Sequence, residues 1–472
     1  MKKKHFYIIA VTIILYLISI IIGLFKLTNW NIVINCVSAI AFVISIRIIA
    51  GNFSNITFLF CIFSIIYGLS GPITVQYGEG LGELFGNNFE IDIFLIVYDL
   101  SNIGFLMGVL FYRLLNKKKD NSKLKNILNI HRKKYIYLAI LCMGLCSSFT
   151  IIDFIRVGGI STLMKGKAVY QAAISALTGT LPSDIFACIS VELCSLYIIL
   201  CKENRKNKNW ILILITVIIF IPFLAVNLFL GKRGILLSLI LITFLTFTFF
   251  TPIIKISKKL IIIGIIVYLI MTFLYANRAI MSMLINDRET FKKIAFSKER
   301  IEKALNPGSS EFGAAFGNFN KLYTNKDYQF KFGETYLRGL VIWIPSFMYI
   351  GEKPQQITYE FRDSYFPSEA KRSSIAGTAF SSILEAYWNF GYLGVFVIYF
   401  MVAYLLQKLD LYWKNYSEFS FLLYILISPF LISFHRSALG DIISNIILKS
   451  LALLVFVYIP LKYTKTKQAL EE

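Results

Sequence analysis

Apolar residues in this chain collect in runs separated by short charged or Gly/Pro-containing breaks. The runs fall at about 6–25, 31–49, 55–71, 90–112, 134–151, 184–201, 210–230, 235–252, 260–276, 386–406, 417–434 and 442–461. Each is about as long as a helix must be to cross roughly 30 Å of hydrocarbon. The pattern predicts an all-α polytopic membrane protein with about 12 transmembrane helices. The first run follows Met1-Lys2-Lys3-Lys4. No small-residue cleavage site comes after it and a second run begins near Asn31, so it reads as an uncleaved first helix.

One long stretch carries no span. Residues 277–375 form a loop too long to be idle. Ile294, Ile301 and Leu305 make an apolar stripe at helical spacing, which predicts an amphipathic helix over 291–305, ended by Asn306-Pro307-Gly308. The segment Tyr336 to Pro345 has an apolar core too short to span and suited to the membrane interface. The expected organisation is therefore membrane helices one to nine in 1–276, a large periplasmic or external loop with short amphipathic helices in 277–375, and helices ten to twelve in 376–472.

Composition agrees, with 57% apolar and 16% charged residues, against roughly 25% charged in soluble domains. The formal charge of +21 invites a nucleic-acid reading until it is divided by side. With the amino terminus inside, the cytoplasmic loops and flanks hold 25 basic and 6 acidic residues, and the remainder holds 23 and 21. Nearly all the excess is the positive-inside bias of a bacterial-type membrane protein, with both termini cytoplasmic. No nucleic-acid partner is expected. All seven cysteines lie in or at the ends of spans, which argues against a disulfide framework. Of the three histidines only His435 is external, so a histidine-based zinc site is not expected.

Asp99, Glu192 and Lys449 fall inside spans, where each either pairs between helices or lines a path. Several segments place cations on the outer side. Lys232 and Arg233 occupy the tight turn Gly231-Lys232-Arg233-Gly234, Arg338, Arg362, Lys371 and Arg372 approach from the large loop, and Arg436 follows His435 after a late span. Such cations either anchor headgroups or grip a lipid-linked phosphate, for which guanidinium offers two parallel bonds. Glu385 lies beside aromatics near the outer end of span ten, and either caps local amides or takes part in chemistry. Glu334 and Glu311 are weaker loop candidates.

These pieces resemble the bacterial oligosaccharide repeat-unit polymerases, the O-antigen and capsular polysaccharide polymerases. The resemblance is carried by the Gly231–Gly234 turn, Gly333-Glu334-Thr335-Tyr336-Leu337 leading to Ile344-Pro345, Lys353-Pro354, Glu385 through Asn389-Phe390-Gly391, Gly394, and Arg436. It implies a glycosyltransferase of the inner membrane, without cofactor or metal, that joins undecaprenyl-pyrophosphate-linked glycans, one as donor and one as acceptor, into O-antigen or a related surface polysaccharide at the periplasmic face. Membrane lipids surround it, and a chain-length regulator membrane protein is an implied partner. On this reading Arg233, Arg338, Arg436 and Arg372 bind pyrophosphate, with Lys232 and Glu334 as secondary candidates. Either Glu385 or His435 activates the acceptor hydroxyl.

Three rivals stand beside it. An O-antigen ligase shares the span count, loop and leaving group. A lipid-linked oligosaccharide flippase or transporter would show two similar halves, and this chain shows no obvious repeat. A metal-dependent protein glycosyltransferase would carry an acidic pair in the first outer loop, where Glu79 and Glu83 stand apart.

Overall fold

The computed structural model describes residues 3–51, 55–77, 89–116, 128–165, 182–204, 207–230, 232–250, 287–305, 311–325, 328–344, 351–367 and 380–463, with a few further residues at 124, 169–170, 173–174, 348–349 and within 266–283. All regular elements among them are helical: α1 (Lys3–Leu24), α2 (Thr28–Ala50), α3 (Ile56–Tyr77), α4 (Ile91–Leu115), α5 (Arg132–Arg156), α6 (Gly159–Met164), α7 (Ser183–Glu203), α8 (Trp210–Phe229), α9 (Arg233–Phe250), α10 (Arg288–Ala295), α11 (Lys298–Leu305), α12 (Glu311–Thr324), α13 (Glu334–Val341), α14 (Ile357–Tyr365), α15 (Ser382–Leu411), α16 (Glu418–Ile432) and α17 (Leu439–Leu453). Eleven helices of the described residues are long and apolar enough to cross a membrane, and each overlaps a predicted run. The remaining run, 260–276, lies largely outside the described residues, as do Glu79 and Glu83.

The chain forms two compact units. The first comprises Met1–Lys119, Asn306–Lys414 and Phe430–Ile447, and the second Asp120–Leu305, Asn415–Pro429 and Leu448–Glu472.

In the first unit, α1 is built inside out relative to a soluble amphipathic helix. Thr12, Tyr16 and Ser19 are buried while Val11, Ile14, Leu17 and Ile21 are exposed. Lipid is as apolar as leucine, so helix association in a membrane rests on packing and polar contacts. Thr12 Oγ1 meets Ser45 Oγ at 2.8 Å, Ser19 donates to Asn31 Oδ1 at 2.8 Å, and Asn31 Nδ2 donates to Asp92 Oδ1 at 2.8 Å. These bonds stitch α1, α2 and α4 together. On its other side α4 packs on α15 through Gly104 and Gly108. A Cβ at Gly104 would stand 2.3 Å from the Phe396 carbonyl oxygen, and one at Gly108 2.2 Å from that of Phe400, the close backbone approach that a small-xxx-small spacing permits. At the far end of α15, Asp410 accepts from the backbone N–H of Ile56 and Thr57 at 2.9 Å each, satisfying the first turn of α3.

In the second unit, α5 and α7 run together, with Ser190 Oγ donating to the Ala139 carbonyl at 2.7 Å. Glu418 accepts from Tyr135 Oη at 2.5 Å and faces His131 Nδ1 at 2.7 Å. Val157, Leu163, Tyr170 and Leu230 form a small apolar core over the end of α5. The predicted helix over 291–305 is two helices. Phe296 and Ser297 break it, and Ser297 Oγ then accepts from the Arg300 N–H at 3.4 Å, starting α11 as an N-cap. A polar residue able to cap competes with helix continuation, and here it wins.

Candidate active site

Helix α15 enters with Ser381 as its cap, the hydroxyl accepting from the Leu384 N–H at 3.2 Å. Ten residues on, the helix is interrupted at Gly391, whose φ of 63° and ψ of −150° lie in a region only glycine occupies without strain. The interruption releases carbonyls that an unbroken helix would use itself. A strap from the large loop takes them: Lys331 N–H donates to the Trp388 carbonyl at 3.0 Å and Phe332 N–H to that of Asn389 at 3.2 Å. Side chains add to the seam, with Gly333 N–H donating to Asn389 Oδ1 at 2.8 Å and Trp388 Nε1 to the Gln329 carbonyl at 3.1 Å. Phe332 at φ 44° and Gly333 at φ 90° then turn the strap into α13.

Glu385, nearly two turns before the break, is fully buried. Its Oε1 accepts from Thr335 Oγ1 at 2.9 Å and its Oε2 from the Leu439 N–H at 2.8 Å. Thr335 belongs to α13 and Leu439 opens α17, so one carboxylate ties three segments and sits where the α17 dipole favours an anion. Asn389, four residues on, donates to Thr335 Oγ1 and to the Glu385 carbonyl, each at 2.7 Å. Helices α13 and α17 also touch directly: a Cβ on Gly339 would stand 2.8 Å from the Cα of Gly440.

An ionic cluster covers this joint. Lys331 Nζ lies 2.9 Å from Glu360 and 3.6 Å from Glu334, and the Arg338 guanidinium bridges the same two carboxylates. Burial works against ionised Glu360, but Lys331 and Arg338 more than offset it and hold the carboxyl below its ordinary value. Aromatic rings frame the cluster. Lys331 stands 5.3 Å over the Trp388 ring, Tyr336 stacks on Phe390 at 6.2 Å, and Phe330, Phe332 and Phe390 are exposed. Burial pushes the Tyr336 phenol well up, and Glu385 adds to the shift.

The fold therefore brings together the segments that carry Glu334, Arg338, Glu385, His435 and Arg436. His435 is buried, its Nε2 3.0 Å from the Phe60 carbonyl and its ring 4.1 Å from that of Phe60. Arg436 follows in the turn before α17, half-buried. Lys232 and Arg233 lie in the second unit, where Lys232 N–H donates to the Asn227 carbonyl at 2.9 Å and Arg233 opens α9. Arg372 lies outside the described residues. Four residues of the joint go beyond the predicted set: Lys331, Thr335, Glu360 and Asn389. Asn389 had a visible signal, its four-residue spacing from Glu385 on one helix face. The other three reach the site through contacts distant in sequence.

A family model described as O-antigen polysaccharide polymerase Wzy matches residues 7–468. The match does not favour a ligase or a flippase. No curated protein and no solved structure matches the chain.

Proposed function

The chain belongs to the O-antigen polysaccharide polymerase Wzy family, so it is an integral membrane polymerase acting on lipid-linked oligosaccharide repeat units, and on that premise we propose where it joins them. The reaction takes place at the joint of α13, the broken helix α15 and the start of α17, on the external face of the inner membrane, with both termini in the cytoplasm. The observation that carries this reading is Glu385, a buried carboxylate beside a helix interruption, bonded to the loop segment that bears Arg338. Irregular backbone at membrane depth is tolerated where it lines a site.

The acceptor sugar hydroxyl attacks the anomeric carbon of the donor, the new glycosidic C–O bond forms, and the C–O bond to undecaprenyl pyrophosphate breaks. Glu385 takes the hydroxyl proton. An ionised carboxylate has about four lone-pair sites, so the bonds from Thr335 and Leu439 leave room for the acceptor. His435 is the weaker base, since its Nε2 is spent on the Phe60 carbonyl. Arg338 and Arg436 meet the charge that develops on the departing pyrophosphate. Arg338 is held ready by Glu334 and Glu360, and the more exposed Glu334 is the partner the pyrophosphate displaces. The exposed rings of Phe330, Phe332 and Phe390 offer faces for sugars. The test is polymerisation of purified lipid-linked repeat units by Glu385→Gln, Arg338→Ala and Arg436→Ala variants. Short or absent ladders support the assignment, and wild-type ladders from all three overturn it.

A further inference from the structure

Within the first unit, the side-chain amide of Asn389 can stand only one way round. Gly333 N–H donates to its Oδ1 at 2.8 Å, and its Nδ2 donates to the Glu385 carbonyl at 2.7 Å. Both partners are backbone groups, the first only a donor and the second only an acceptor. Turning the amide over would set donor against donor at Gly333 and acceptor against acceptor at Glu385. The second hydrogen of Nδ2 is thereby fixed as well, and it goes to Thr335 Oγ1 at 2.7 Å. Asn389, Thr335 and Glu385 are all buried, so these bonds do not compete with bulk water.

The orientation passes from one side chain to the next. Thr335 has a single O–H, and an oxygen that accepts from Asn389 has that hydrogen left to give. It goes to Glu385 Oε1 at 2.9 Å, while Leu439 N–H donates to Oε2 at 2.8 Å. Donors therefore run in one direction, from Gly333 N–H in the strap through Asn389 and Thr335 to the carboxylate, and both carboxylate oxygens are held as acceptors. That is the state from which a general base takes a proton. Hydrogen bonds in such a chain polarise one another, so the first bond bears on the last. Both hydrogens of Asn389 are spent on protein groups, and it acts through its neighbours. Taking Glu385 as the base assigned above, on which this inference rests, we propose that Asn389 is a positioning residue: through Thr335 it aims Glu385 at the acceptor hydroxyl, and it makes that aim depend on the seated strap.

The test is the rate of repeat-unit addition by the full-length protein on purified lipid-linked repeat units, with kcat and KM measured separately. Asn389→Asp keeps the size and an acceptor for Gly333 N–H, but carries at most one hydrogen for the two acceptors that Asn389 serves. It should lower kcat on the order of ten- to a hundredfold with KM little changed. Thr335→Val, which keeps the shape and removes the hydroxyl, should give a similar loss, and Thr335→Ser should restore most of the rate. The double variant should be little worse than either single one, because both changes break the same chain. Losses that multiply in the double variant overturn the proposal, since two independent packing defects behave that way. Wild-type kcat in Asn389→Asp overturns it, as does a loss confined to KM. Glu385→Gln run alongside separates the two levels. If it is inactive while Asn389→Asp is fully active, the positioning role alone falls; if it is active, the base on which that role rests falls too. Should Asn389→Asp fail to fold, Asn389→Ala carries the same outcomes, its smaller side chain leaving Gly333 N–H open to water.

Discussion

Asp99 and Glu385 are both fully buried carboxylates on membrane-spanning helices of the same unit, and they differ in how firmly their neighbours bond them. Donors converge on Glu385, a hydroxyl from α13 and a backbone amide from the start of α17. Asp99 has Ser19 and Asn35 beside it, but their strong hydrogen bonds run to Asn31 and to each other, and neither carboxylate oxygen is held in bonding geometry. A carboxylate met by donors has part of its burial cost offset and joins the segments that supply them. One whose neighbours direct their donors elsewhere bears its burial with less compensation. Burial and charge therefore do not by themselves mark a reacting joint. The bonds that tie the carboxylate to separate segments do.

The largest test of this contrast is Glu385→Gln, which keeps the shape but removes the base and turns a donor toward Thr335 or Leu439. Polymerisation should fall on the order of 10²- to 10⁴-fold. Next comes the helix break. Gly391→Val forces a branched side chain into glycine-only backbone, costing about 1–3 kcal/mol. Deuterium exchange should then rise at the amides of Lys331, Phe332 and Gly333, whose acceptors are set by that break. A smaller effect of opposite sign is expected at the other carboxylate. Asp99→Asn should leave the thermal midpoint unchanged or raise it, because it removes a buried charge without an ionic partner, whereas Thr335→Ala should lower stability by about 1–3 kcal/mol by stripping a donor from buried Glu385.

The smallest expected effect is the acid response of the ionic cluster. Glu360 is held below its ordinary value of 4.5 by Lys331 and Arg338, against the pull of burial. Its contribution is then fully present above that value and is lost as pH falls through the lowered one. Exchange at the strap amides should rise on acidification from pH about 5 downward, and Glu360→Gln should flatten that dependence.

The spans were legible because run length alone reports them. The joint was legible only in part. Glu385 and Asn389 show as a polar pair at helical spacing, and Gly391 as a glycine within a span. The strap did not show, because Lys331 N–H and the Trp388 carbonyl pair across many residues by backbone alone, and backbone carries no sequence signature. Arg338 was found as a cation, but its two carboxylate partners lie on α13 itself and on α14. The break in the helix over 291–305 escaped periodicity because the apolar stripe continues through Ser297 while the capping hydroxyl interrupts the backbone. Asp99 stood out by its position in a span, yet its neighbours Ser19 and Asn35, and the way Asn35 directs its amide toward Ser19 and Asn31, are seen only in the structure.

The most direct measurement is polymer length made from purified undecaprenyl-pyrophosphate-linked repeat units by the wild-type protein and by Glu385→Gln, with thermal midpoints recorded on the same samples. The account predicts a ladder from the wild type and unextended repeat units from a Glu385→Gln protein that still unfolds cooperatively. A wild-type ladder from a folded Glu385→Gln protein would contradict it.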